Sequence, residues 1–104
     1  MKRGEVRWIV FAKPDKRRPV LILTRDSAIE YLSELTVAPL TRTIRDIPSE
    51  VVVGPEHGIP DESAVNLDHV QTVSKQRLGA LVTTLPVGVM ASVAEALGFA
   101  LGIE

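Results

Sequence analysis

The run Val20-Leu21-Ile22-Leu23 is the tightest constraint in the chain, because Pro19 opens it and Lys16-Arg17-Arg18 stand directly before it. A short unbroken apolar run of this kind reads as a buried β-strand. Proline has no N–H to give a ladder, so Pro19 fits only at a strand start or an edge. The chain therefore loads three cations onto the mouth of its own core. Either they are simply solvated, or the strand holds a cation still so that it can meet an anion.

Comparable runs recur along the sequence. Val6 to Phe11 is β-branched and aromatic and reads as a first strand, with Trp8, the sole tryptophan, read mainly as core. Ala12 to Lys16 is a turn cluster around Pro14-Asp15. Pro19 to Thr24 is the second strand, and Asp26-Ser27 can cap a short helix reaching about Ser33. Leu35 to Leu40 is the third strand, with Pro39 marking a bulge or an edge. Thr41 to Ser49 is a polar, basic loop, and Val51 to Val53 a fourth strand. Gly54 to Glu62 carries two Gly and two Pro and is expected to be an exposed loop. Ala64 to Leu67, Val70 to Val73 and Leu78 to Leu85 complete the strands.

The end of the chain changes character. Pro86 suits the first position of a helix. Val89, Val93, Leu97 and Leu101 recur at helical spacing, and Gly102 is a natural stop. Only Ser92 and Glu95 are polar between Pro86 and Gly102, so this helix needs cover on most sides, from the core or from a second copy. The expected architecture is α+β: a small antiparallel β-barrel or sheet of five to seven strands, a short internal helix and a C-terminal helix. One domain spans residues 1–104.

Charge is unevenly distributed. Residues 1–25 carry a net +6 and the remainder −7, which a whole-chain charge of −1 conceals. A local positive field of this kind favours a polyanion or an acidic partner. The absence of cysteine rules out disulfides, thiolate metal sites and thiol nucleophiles, and fits a cytoplasmic protein. With only His57 and His69 present, a histidine-rich metal site is not expected. No apolar stretch approaches bilayer length, and no export signal stands behind the first cations.

Motifs for phosphate-cradling loops, zinc proteases and serine hydrolases are missing. Asp61-Glu62 is the one pair of adjacent carboxylates, and beside Pro60 it reads as solvated. What remains is a set of cations with hydroxyls: Lys16, Arg17 and Arg18, then Thr41-Arg42-Thr43 and Arg45. A guanidinium offers planar paired donors to phosphate oxygens and stays charged at any working pH. Arginine and threonine at the ends of rigid strands can hold a phosphodiester and stabilise added negative charge. The plainer alternative is that Arg18 pins a turn and Thr41 is a β-former at a strand end.

The segments "RGEVRWIVF", "RRPVLILTRD", "TVAPLTRTIRDIPSEV", "AVNLDHVQTVSKQRLG" and "EALGFALGI", in this order, resemble the MazF/PemK/Kid family of toxin endoribonucleases. The likeness runs from about Arg3 to Ile103. It implies an SH3-like barrel assembled as a homodimer. It also implies sequence-specific cleavage of single-stranded RNA without metal or cofactor, the 2′-hydroxyl attacking the adjacent phosphate to leave a 2′,3′-cyclic phosphate and a 5′-hydroxyl. On the resemblance Arg18 and Thr41 are catalytic. Lys16, Arg17, Arg42, Thr43, Arg45 and His69 are expected to contact RNA, and Trp8, read mainly as core, is the alternative stacking platform for a base. The implied partner is a MazE-like antitoxin with an acidic tail, DNA being met only through the antitoxin complex.

Two departures stand out. The first loop, Ala12 to Arg17, lacks the Gly-Ser-Glu-like stretch of many relatives and keeps Asp15 as its only carboxylate. His69 stands where relatives often carry glutamine, and can stack, donate to phosphate or serve structurally. Two rival classes share such a barrel. One is a CcdB-like gyrase poison, whose C-terminal Trp-Gly-Ile is here Leu101-Gly102-Ile103 followed by Glu104. The other is a non-catalytic binding module.

Overall fold

A computed structural model describes residues 1–10 and 17–104. Seven strands are found there: β1 (Glu5–Val10), β2 (Arg17–Ile22), β3 (Glu34–Thr41), β4 (Glu50–Val53), β5 (Ser63–Asn66), β6 (Gln71–Ser74) and β7 (Leu78–Thr84). Two α-helices accompany them, α1 (Asp26–Ile29) and α2 (Val87–Leu101). Every strand pairing is antiparallel, in the order β4-β5-β3-β2-β1-β7. β6 also pairs with β3, so β5 and β6 follow one another along the same edge of β3, parted by a 3-10 turn at Leu67–His69. The outermost strands β4 and β7 do not pair with each other, so the expected barrel is an open sheet. The α+β architecture is as read.

Side-chain alternation sorts the apolar residues into two layers. Leu21 and Leu23 join Val6, Ala38, Leu40, Val53 and Val65 on one face, beneath Met90, Val93 and Ala96 of α2. Val20 and Ile22 join Ile9, Leu35, Val37 and Val73 on the other, beneath Ile29 of α1. The unbroken run Val20–Leu23 is thus apolar because β2 is covered on both faces.

The prolines decide where the sheet divides. The β2–β3 ladder runs Ile22–Val37, Leu21–Ala38 and Val20–Pro39, and ends there. Beyond it Pro19, Arg18 and Arg17 pair only with β1, while Leu40 and Thr41 pair with β5. Both prolines stand at local edges within central strands, where a missing N–H costs no ladder bond. The two strands part at this point.

Three segments differ from the sequence reading. α1 ends at Ile29 and not near Ser33, because the N–H groups of Tyr31 and Leu32 both turn back to the Ala28 carbonyl. Asp26 does not cap it, since its Oδ1 accepts the Arg3 backbone N–H at 2.7 Å. The segment 54–62 is more than an exposed loop: Pro55–His57 forms a 3-10 turn, and Ile59 is buried in the core. The Thr83 hydroxyl donates to the His57 carbonyl at 2.9 Å, and Gly58 follows at φ 84°. A Cβ at Gly58 would lie 2.5 Å from that hydroxyl, so both backbone and space require glycine.

α2 stops at Gly102 (φ 70°), as its sequence predicts. Its cover is partial, however, for Val87, Phe99 and Leu101 stay exposed. Among the described residues no helix is long and apolar enough to cross a membrane.

Glu5, on β1, is a buried carboxylate. Burial opposes its ionisation. The Arg7 Nε–H donated at 2.8 Å, the Lys2 backbone and the charges of Arg7 and the N-terminus together outweigh that, so the carboxyl titrates below its ordinary value. The charged form is favoured by folding, so this stabilisation is complete above the unfolded-state value and fades as pH falls through the folded one. Urea midpoints measured against pH should accordingly fall on the acid side, and less steeply in Glu5→Gln.

Candidate active-site cleft

A cleft of about 410 Å³ opens where β2 and β3 separate. One wall is Trp8 with Arg17, Arg18 and Pro19; the other is Leu40, Thr41, Arg42 and Thr43 with Ile59 to Asp61 and Ser63. Arg18 and Thr41 are therefore brought to one cavity by the same event that parts their strands. Of the other residues expected to bind RNA, Arg17, Arg42 and Thr43 also line it. Lys16, like Asp15 and the rest of the first loop, lies outside the described residues. Arg45 and His69 are not among the lining residues.

Each cation in the cleft is held differently. Arg18 is exposed, and no described residue bonds to its side chain, so its donors are available to an anion. Arg17 places its guanidinium 4.5 Å from the centre of the Trp8 ring. That cation–π contact fixes a flexible side chain against the wall. Arg42 makes an ion pair with Asp61 at 2.6 Å.

Thr41 sits half-exposed at the last position of β3. Its Oγ1 accepts the Thr43 backbone N–H at 3.1 Å. The bond orients the oxygen and leaves the hydroxyl proton free to donate outward. The arrangement offers a forked cation on one wall and an aimed hydroxyl on the other, a pair of donors suited to the oxygens of one phosphodiester.

The two remaining residues expected to contact RNA are exposed and make local contacts. Arg45 gives its backbone N–H to Glu50 at 2.9 Å. His69 lies in the turn between β5 and β6, with Nδ1 3.3 Å from the Asn66 amide nitrogen. In that turn Asp68 accepts a hydrogen bond from the Ser49 hydroxyl, and Asn66 caps the Asp68 N–H. Two of the eight cations at the N-terminal end are structural: Arg3 bonds the Leu23 carbonyl, and Arg7 bonds Glu5 and the Gly79 carbonyl.

Two occupants of the cleft were read differently from the sequence. Trp8, weighed as core against a stacking platform, is a half-buried wall residue. Asp61 was read as a solvated loop charge. Only the pairing of Thr41 with Ala64 reveals that the loop before β5 borders the end of β3.

An open antiparallel sheet with a C-terminal helix, and a cationic cleft at a strand divide, define a small protein built to hold a polyanion. Its sequence matches, over residues 2–101, the family described as "PemK-like, MazF-like toxin of type II toxin-antitoxin system". It is 51% identical over 84 residues to the probable endoribonuclease MazF5 of Mycobacterium tuberculosis, covering 76% of each chain. To endoribonuclease MazF3 of the same species it is 38% identical over 99 residues, covering 95% of this chain and 96% of that one. Among solved structures, an endoribonuclease in complex with its cognate antitoxin from a mycobacterial species superimposes with a TM-score of 0.90 at 27% identity, covering 100% of this chain and 97% of that one.

The chain belongs to the PemK/MazF toxin family. It is an RNA-cleaving enzyme, which decides against the gyrase-poison and binding-module readings.

Proposed function

We propose that this toxin cuts single-stranded RNA in the cleft between β2 and β3, with Arg18 and Thr41 acting on the scissile phosphate. The observation that carries the reading is the convergence on one cavity of a guanidinium that no described residue pairs and an oriented hydroxyl. In the step, the 2′-oxygen forms a bond to phosphorus as the bond from phosphorus to O5′ breaks. The 2′-hydroxyl loses its proton and O5′ gains one, so the products are a 2′,3′-cyclic phosphate and a 5′-hydroxyl. Arg18 keeps its own proton and stabilises charge growing on the phosphate oxygens. Thr41 donates to the phosphate and fixes it so that the 2′-hydroxyl lies in line with O5′. Arg17 and Thr43 extend contact to the flanking backbone, and Trp8 offers an aromatic face to a base.

The same reading includes partners. The apolar residues that α2 leaves exposed, Val87, Phe99 and Leu101, suit cover by a second copy of the chain. A MazE-like antitoxin with an acidic tail suits the cleft, because a run of carboxylates can imitate a phosphate backbone. DNA would be met only through that complex, and the setting is the cytoplasm. Incubation with a panel of single-stranded RNAs in EDTA tests the enzymatic reading. Fragments ending in a cyclic phosphate and beginning with a 5′-hydroxyl are expected, and fragments with 3′-hydroxyl ends would overturn it.

A further inference from the structure

Asp61 is the sole carboxylate among the described residues lining the cleft, in a site that otherwise presents Arg17, Arg18, Arg42 and hydroxyls. A fixed negative charge in a phosphate-binding groove opposes its ligand. Yet the backbone holds it there: the buried Ser63 donates its hydroxyl to the Asp61 carbonyl at 2.9 Å, beside Pro60. Its Oδ2 lies 2.6 Å from an Arg42 terminal nitrogen. The two side chains are 55% and 80% exposed, so water competes for the pair and its strength is small.

We propose that Asp61 is an internal competitor for RNA, its carboxylate occupying on Arg42 the place that a backbone phosphate takes in the complex. This rests on the RNA cleft argued above. The three cleft arginines then play distinct parts: Arg18 stands ready, Arg17 is held on Trp8, and Arg42 is masked until a phosphate displaces Asp61. A carboxylate and a backbone phosphodiester each spread one negative charge over two acceptor oxygens, so a guanidinium can exchange one for the other. Exchange is easy because an exposed ion pair contributes little. The cost to the enzyme is affinity, since each RNA that binds must both break the pair and approach a freed carboxylate.

Asp61→Asn removes the charge and keeps the shape. At low ionic strength it should lower KM for a defined single-stranded RNA by about two- to fivefold, the range an exposed pair can supply. The gain should fall on KM and not on kcat. The dependence of log affinity on log salt should steepen by about 0.7, because the groove then sets one more net positive charge against the phosphates. In an Arg42→Ala background the same change should gain less, because it then relieves only the repulsion of the carboxylate and no pair has to be broken. A KM that rises or stays level in Asp61→Asn, or an equal gain without Arg42, overturns the proposal. Arg18→Ala assayed in parallel separates the failures. If that variant cuts RNA normally, the cleft reading itself falls; if it is inactive while Asp61→Asn gains nothing, only the competitor role falls.

Discussion

Arg18→Ala should cut RNA about 10²- to 10³-fold more slowly than the parent chain, the loss that follows removal of one preorganised donor from developing charge. The effect should appear in kcat, because the guanidinium acts most strongly where the phosphate gains charge on the way to the transition state. Arg18 is exposed and bonds to no described residue, so unfolding midpoints should hardly move. That separation between activity and stability distinguishes a catalytic arginine from one that pins the turn before Pro19. Arg18→Lys should recover part of the rate only, since an ammonium supplies a point charge without the planar fork. A fully active alanine variant would leave the cleft without its main electrostatic element.

Thr41→Val should lower kcat by about 10- to 100-fold, the range expected when a hydrogen bond to a charged group is lost. Valine keeps the β-branched shape that suits the end of β3, so the sheet should survive. It removes the acceptor for the Thr43 N–H, which lies in an exposed segment and can turn to water. Thr41→Ser restores the hydroxyl and should return most of the rate. If valine and serine behave alike, the hydroxyl has no part in the chemistry.

A good deal of this site is legible in the sequence because both proposed catalytic positions are marked locally. Arg18 abuts a proline that must open a strand, and Thr41 follows a strand that a second proline interrupts. The residues on each face of β2 follow from alternation alone, and the α2 stop follows from Gly102. What alternation cannot disclose is which strand edges part company. The ladder between β2 and β3 ends at Val20 and Pro39, and the cleft exists only because Leu40 and Thr41 then take β5 as partner.

The same limit explains the contacts that the sequence did not disclose. Arg42 and Asp61 are separated by nineteen positions and meet only through the β3–β5 register. Ile59 lies between glycine and proline in what looks like a plain loop, yet it fills the core beside Val53 and Leu85. A sheet that opens at β4 and β7 also cannot be told from a closed barrel by counting strands. Local pattern names the pieces; long-range pairing decides which face a common cavity.

The central claim is that RNA is cut by its own 2′-hydroxyl in the cleft between Arg18 and Thr41. The most direct measurement uses a single-stranded RNA with one mapped cleavage site, compared with the same strand carrying a single 2′-deoxynucleotide on the 5′ side of that bond. Attack by the 2′-oxygen predicts that the all-ribose strand is cut to a 2′,3′-cyclic phosphate, while the substituted strand stays intact at that bond yet still competes for binding. Cleavage of the deoxy-substituted bond at a comparable rate would contradict it.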